Sequence, residues 1–379
     1  MKSVERIKTL ENVTVLLRTS LNVPIEKGKV KDVFRLEAAL PTILYLQSRY
    51  AKVVLISHIT GKGTETFRPV FNTLKDRIPN LSFCEYSIGP IARETIRRMV
   101  PGDVVMLENL RRHKGEEEND EAFAKELAHM GDVFVQDSFD VCHRPHASVV
   151  GVPQFLPSYA GFTLMKEVKE LTLARKPKSP SLAVVGGAKF STKEPLIRCL
   201  LASYDHVFVG GALANDFLKT KGYSVGASVT SSEQNQAIQE LLQSKRLLLP
   251  LDVLVAKEGA LRTHARTASL KNIQRDEAIY DIGPHTAHAL IELAHKAKTV
   301  LWSGPLGFFE HGYHDGNRAF AEGVSARTLS VVGGGDTIAA LDALNLLNRF
   351  TFVSTGGGAM LEYITHGTLV GIEALTTKS

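Results

Sequence analysis

Cysteine is scarce in this chain. Cys84, Cys142 and Cys199 are odd in number, widely spaced and in no metal-ligand spacing. Neither a disulfide framework nor a cysteine metal site is expected, and a reducing, cytoplasmic setting is. No apolar run approaches the ~18 residues that a membrane helix needs. Residues 1–20 carry charge throughout and lack the apolar stretch of a signal peptide. A large excess of either charge is also missing. Lysine and arginine exceed aspartate and glutamate by 45 − 40 = 5, too few and too scattered for nucleic acid but compatible with a small anionic ligand. There is no G-x-x-x-x-G-K-[ST] loop, no G-x-G-x-x-G fingerprint, no H-E-x-x-H and no G-x-S-x-G elbow. His143 and His146 stand close together, but Arg144 between them opposes a cation and no third ligand follows at matching spacing. The single tryptophan, Trp302, reads as core rather than as a stacking platform.

Glycine, by contrast, is plentiful and concentrated in particular turns. Leu329–Val332 is a short apolar run suited to a buried parallel strand. Gly333, Gly334 and Gly335 strip side chains from the turn that follows, so its backbone can approach a ligand. From Ile338 the apolar residues Ile338, Leu341, Leu344 and Leu347 take helical spacing. A strand feeding a helix through bare glycines gathers free N–H groups and the positive end of the helix dipole at one point, an anion site suited to phosphate. Asp336 beside it can hold Mg²⁺, which reaches nucleotide phosphates through one or two carboxylates. Taken alone, the same stretch is equally a tight strand–helix turn with Asp336 as N-cap; repetition along the chain separates the two.

In the first half, strands are predicted at Val13–Leu17, Val53–Ile56, Val104–Leu107 and Val133–Val135. A turn at 26–29 precedes a helix entered at Phe34 and Arg35, and a second helix runs from the acidic stretch at Glu116 to about His129. A helical pattern from Phe162 to about Ala174 stops at the Pro177 and Pro180 break. The second half gives strands at Leu182–Val185, Val207–Val209, Leu251–Val255, Val300–Trp302, Leu329–Val332 and Phe352–Ser354, with a helix around Ala237–Leu242. The alternation predicts an α/β protein of two doubly wound parallel-sheet (Rossmann-like) domains joined by a hinge helix.

In such sheets ligands bind beyond the carboxyl ends of the strands. The first half carries Arg18, Asn22, His58, Arg111, His143, Arg144 and His146 there, with Arg35 just past a loop; the second half ends five strands in glycine pairs, triplets or Gly-Pro. One domain therefore offers cations and donors fit for a small acid, and the other offers naked backbone fit for a nucleotide. Lys189 and Lys193, four apart at a strand–helix turn, can aim into one space if the helix starts near Ser191. Two ammonium groups there suit a transferring phosphoryl group.

These motifs together resemble the phosphoglycerate kinase family from about Val13 to Leu375. The match runs in order through Arg18-x-x-x-Asn22-Val23-Pro24, Ser57-His58, Leu107 to Arg111, His143 to Ser148, Gly186 to Lys193, Asp281 to Pro284, Trp302 to Pro305, Gly333 to Thr337 and Ser354 to Ala359. The resemblance implies an acid-substrate domain over 1–160, a connecting helix over 161–177, a nucleotide-binding domain over 178–362 and a segment, 363–379, returning toward the first domain. It implies reversible phosphoryl transfer between ATP and 3-phosphoglycerate with Mg²⁺, in a cytoplasmic monomer with no nucleic-acid or membrane partner. Domain closure about a hinge would exclude water.

The implied catalytic residues are Arg35, Lys189 and Lys193. Ser20, Leu21, Asn22, Arg35, His58, Gly61, Lys62, Arg111, Arg144 and His146 would bind the acid. Gly187, Ala188, Lys193, Gly211, Pro305, Glu310, Gly334, Gly335, Asp336 and Thr337 would bind the nucleotide, with Asp336 on the metal. Four positions depart from the family pattern. Ser20 stands where the family has Asp, and Ile59-Thr60-Gly61-Lys62 where it has Leu-Gly-Arg-Pro. Asp140 stands for a glycine, and Ser303 for an Asn. The departures leave open a paralogous kinase for another small phosphorylated or carboxylated acid, or a non-catalytic nucleotide-binding homologue. Retention of Arg35, Lys189, Lys193 and Asp336 favours catalysis.

Overall fold

The computed structural model describes residues 1–61, 65–231, 235–260 and 262–376. It divides into two compact units. The first is Met1–Lys169 together with the stretch from Thr368, and the second is Glu170–Gly367. The division falls inside the helix Phe162–Arg175.

In the first unit the strands are β1 (Thr14–Arg18), β2 (Ile25–Glu26), β3 (Lys29–Val30), β4 (Lys52–Ile56), β5 (Leu81–Cys84), β6 (Val104–Leu107), β7 (Val133–Gln136) and β8 (Ser158–Ala160). Six of them form one sheet in the order β5-β6-β4-β1-β7-β8, with every pair parallel. Their apolar runs follow from that position, because a parallel strand is covered on both faces: Val15, Leu16, Leu17 and Val53 to Ile56 are fully buried. The chain runs outward from β1 to one edge and later returns to its other side. The order thus reverses at β1, the place where open α/β sheets bind ligands. The turn at 26–29 is the tip of a β2–β3 hairpin, made possible by left-handed backbone at Lys27 and Gly28.

In the second unit the strands are β9 (Ser181–Val185), β10 (His206–Val209), β11 (Leu247–Leu248), β12 (Asp252–Lys257), β13 (Arg266–Ser269), β14 (Glu277–Ile282), β15 (Thr299–Ser303), β16 (Leu329–Gly333) and β17 (Phe352–Ser354). The parallel sheet has the order β11-β10-β9-β15-β16-β17, and its order reverses at β9. Trp302 lies in the core, edge-on to Phe320 at 4.9 Å, with its indole N–H donating to the Gly304 carbonyl at 2.7 Å.

Several expectations need correction. The strand expected at 251–255 is β12, which belongs to a separate antiparallel sheet of order β13-β12-β14. Its apolar run resembled a parallel strand because all of Asp252 to Ala256 is buried. The single helix expected from Glu116 to His129 is two, Lys114–Glu117 and Glu121–Ala128. Asn119 takes left-handed backbone between them, and Asp120 caps the second through a bond from the Phe123 amide at 2.7 Å. The helix after β16 ends at Asp342, so Leu344 and Leu347 lie beyond it despite their spacing.

Candidate functional site

In the first unit the cations lie beyond β1, β4, β6 and β7, and Arg18, Arg35, His58 and Arg111 are each held by a neighbour from another segment. The Asn22 carboxamide exchanges two bonds with Thr60: its Nδ2 donates to the hydroxyl and its Oδ1 accepts from the Thr60 amide, both at 3.1 Å. Arg111 donates to the same hydroxyl at 3.0 Å, and its Nε stands 3.3 Å from Glu117. Arg35 opens the helix Phe34–Ser48 and donates to the Asn22 carbonyl at 2.8 Å. Ser57 ties the β1 and β4 ends together, donating to Thr19 O at 2.6 Å and accepting from the Leu21 amide at 3.1 Å. Ser20 is buried, and among the described residues its hydroxyl has no hydrogen-bond partner. Arg144 is exposed, His146 is buried and Gly61 is exposed; Lys62 lies outside the described residues. A cavity of about 670 Å³ opens beside Asn22, Arg35 and Thr60.

The field here is strongly positive. Burial, then Arg18, Arg111, His146 and Arg35, hold the His58 imidazole well below its ordinary range. Burial, then Arg111, Arg144, Arg18 and His143, push His146 down to about 4. Both rings are therefore neutral near pH 7. Asp140 sits among these cations. Its Oδ1 accepts from Ser138 at 2.6 Å and its Oδ2 stands 3.9 Å from Arg35.

In the second unit the strand ends are built of backbone. The Gly186 amide donates to Ser303 O at 2.9 Å, Gly187 to Pro305 O at 3.2 Å and Leu213 to Gly187 O at 2.8 Å. A Cβ on Gly211 would sit 2.8 Å from both the Gly187 nitrogen and the Pro305 carbonyl, and its φ of +63° already disfavours a side chain. Glycine is what lets three loops meet. A Cβ on Gly187 or Gly335 would meet open space, so backbone is accessible there, beside exposed Ala188.

Lys193 reaches this backbone from the first turn of the helix Phe190–Ser203 and donates to Ser303 Oγ at 3.0 Å. Burial pulls its ammonium down to about 8, against the opposing pull of Asp336. Lys189 immediately precedes that helix and is exposed. The N-cap after β16 is Gly334, at φ +104°, and not Asp336. Asp336 is exposed in the first helical turn, and the Thr337 hydroxyl is spent accepting the Gly304 amide at 2.7 Å. Glu310 is exposed on the short turn Phe309–His311. No group of three or more His, Cys, Asp or Glu could enclose a metal ion among the described residues. Lone, exposed Asp336 fits the mode in which Mg²⁺ shares its coordination with nucleotide phosphates.

Sequence reasoning left Thr60, Glu116 and Ser148 out of the site. Thr60 sits in the departing loop, and its hydroxyl joins Asn22 to Arg111. Nothing about a lone threonine signals that bridge before the loop is folded.

Two sheets whose order reverses at their first strand, one rimmed by cations and the other by glycine, define an α/β protein built to hold anionic ligands. The comparisons narrow this. The sequence matches the family model described as phosphoglycerate kinase over residues 4–366. The phosphoglycerate kinase of Moorella thermoacetica is 40% identical over 386 residues, covering 97% of this chain and 98% of its own; that of Caulobacter vibrioides is 39% identical, covering 95% and 96%. The solved phosphoglycerate kinase from Coxiella burnetii superposes with a TM-score of 0.87 at 36% identity, over 99% of each chain. That from Pyrococcus horikoshii gives 0.88 at 30% identity, over 99% and 98%. The chain belongs to the phosphoglycerate kinase family.

Proposed function

We propose that this protein transfers the terminal phosphoryl group of Mg²⁺-bound ATP to the carboxylate of 3-phosphoglycerate, giving 1,3-bisphosphoglycerate and ADP, and runs the same step in reverse. The observation that carries the reading is Lys193, a half-buried ammonium depressed to about 8 beside glycine-bare strand ends. A cation desolvated there strengthens when charge builds on a transferring phosphoryl. Gly187, Ala188, Gly211, Pro305, Gly334, Gly335 and Thr337 line the nucleotide, with Glu310 on its ribose. Lys189 contacts phosphoryl oxygens, and Asp336 holds the Mg²⁺, which neutralises phosphate charge.

On the acid side, Arg35 meets the carboxylate. Ser20, Leu21, Asn22 and Gly61 line the acid, as would Lys62. His58, Arg111, Arg144 and His146 hold its phosphate. Direct transfer requires acid and nucleotide to meet, so hinge bending belongs to this reading, as do a monomeric state and a cytoplasmic setting. No helix among the described residues is long and apolar enough to cross a membrane.

A second reading, a kinase for another small acid, is favoured by the buried Ser20 hydroxyl, which has no partner among the described residues, and by Asp140 facing Arg35. An assay coupling 1,3-bisphosphoglycerate formation to NADH oxidation, with ATP, Mg²⁺ and 3-phosphoglycerate, separates the two. Turnover supports the first reading. Absent turnover with normal ATP binding, restored by Ser20→Asp, supports the second.

A further inference from the structure

Arg18 is the second largest fully buried side chain among the described residues, and the reaction as read above gives it no contact with substrate. All three nitrogens of its guanidinium are engaged. Nε donates to Ser148 Oγ at 2.9 Å, Nη1 to Thr19 O at 3.0 Å and to Ser57 Oγ at 3.2 Å, and Nη2 lies 2.9 Å from His58 Nδ1. Behind it, Ser148 Oγ stands 2.5 Å from Glu116 Oε1, and the Ser148 amide donates to Oε2 at 2.9 Å. Glu116 and Ser148 are both wholly buried.

Proton bookkeeping gives this chain one direction. A guanidinium only donates and a carboxylate only accepts. Ser148 must therefore accept from Arg18 and donate its own O–H to Glu116. At the other end His58 Nδ1 must be the acceptor, which leaves the ring proton on Nε2, an atom with no protein partner among the described residues. A ring protonated at both nitrogens would point an N–H at the guanidinium. We infer that Glu116, Ser148 and Arg18 form a positioning chain that fixes His58 as the Nε2–H tautomer, a neutral donor aimed at an anionic oxygen of the acid substrate. The groups facing His58 are Arg18 from β1, Arg111 after β6, His146 after β7 and Arg35 from the helix Phe34–Ser48. All oppose a second proton on the ring, in agreement with the geometry. The proposal rests on the functional reading above for the identity of the oxygen, a phosphate oxygen of 3-phosphoglycerate, but not for the tautomer.

The first test is a long-range ¹H–¹⁵N spectrum of the histidine rings in the free protein, with His58 assigned by its loss in His58→Gln. The expected result is an unprotonated Nδ1 and a protonated Nε2, unchanged from pH 8 to pH 5.5. A protonated Nδ1, or a doubly protonated ring at pH 6, overturns the proposal. Kinetics supply the second test. Arg18→Lys keeps the charge but loses the fork, and is expected to raise the KM for 3-phosphoglycerate roughly tenfold or more, with KM for ATP and kcat changed little. A lowered melting temperature with unchanged KM would mean that Arg18 only supports folding, and overturns it. His58→Gln, whose amide reproduces the Nε2–H, should bind the acid more tightly than His58→Asn, and the reverse order counts against the assignment. The spectrum is read without substrate, so a chain that turns over no 3-phosphoglycerate defeats the functional reading alone and leaves the tautomer to be decided by the ring.

Discussion

The two units hold anions by opposite means. The first uses long side chains, and each needs support: Arg18 rests on Ser148 and Glu116, and Arg111 on Thr60. The second uses backbone, and its requirement is the absence of side chains, since Gly186, Gly211 and Gly304 let loops touch. A side-chain site tolerates added bulk but fails when a charge is moved. A backbone site carries little charge to lose but fails when a methyl group is added. Lys193 is the exception in the second unit: a side chain brought to the backbone site and half-buried there, where burial makes its ammonium a stronger acid.

The largest expected effect follows from that exception. Lys193→Ala should lower kcat by on the order of a hundred- to a thousandfold, as loss of a preorganised charge-stabilising donor does elsewhere, with nucleotide affinity changed only severalfold. Coupled turnover beside calorimetric ATP binding would measure both, and an unchanged kcat would remove Lys193 from the mechanism.

Next comes the backbone rule itself. Gly304 has a φ of +99°, and a Cβ there collides with the Gly186 backbone. Gly304→Ala should cost about 2–4 kcal/mol of stability from strain and overpacking, read as a lower urea midpoint. A midpoint matching the parent would break the contrast between the units.

A third prediction concerns what the units share: each has a buried carboxyl, Asp137 in the first and Asp281 in the second, pushed up to about 7 mainly by burial. Asp137 Oδ1 accepts the Leu164 amide at 3.1 Å, and this bond, with hydrogen bonding from Thr42 and Thr163, only partly opposes the rise that burial imposes. Between the ordinary carboxylate range and about 7 the folded chain keeps a proton that the unfolded chain has released. Stability from this group is therefore present below about pH 4 and lost as pH rises through 7. Asp137→Asn should match the parent in urea near pH 4 and exceed it at pH 8 by on the order of 1–3 kcal/mol; parallel pH profiles would contradict this.

The smallest effect sharpens the charged side. Asp140 places a carboxylate 3.9 Å from Arg35, where it opposes an incoming acid. Asp140→Gly should lower the KM for 3-phosphoglycerate by roughly three- to tenfold. A raised KM would instead make Asp140 a partner of the substrate, and would favour the reading in which this chain prefers a different acid.

The sequence alone determined the local grammar of the fold. Apolar runs of four or five residues followed by Arg, His or Gly set strand, turn and helix, because these choices depend on neighbours a few positions apart. The same grammar located Lys193 on a helix after β9 and sorted cationic strand ends from bare ones. It did not separate β12 from the parallel strands, since a fully buried run reads alike in either sheet. Nor did it show the break at Asn119. Only tertiary structure decided which strand lies central, so that β1 and β9 become the places where strand order reverses. It alone joined Glu116, Ser148, Arg18 and His58, drawn from segments up to 130 residues apart, into one chain of hydrogen bonds. The reason is physical: donor and acceptor roles, and the burial that shifts a lysine or a carboxyl, are properties of surroundings assembled from distant segments, which no local pattern encodes.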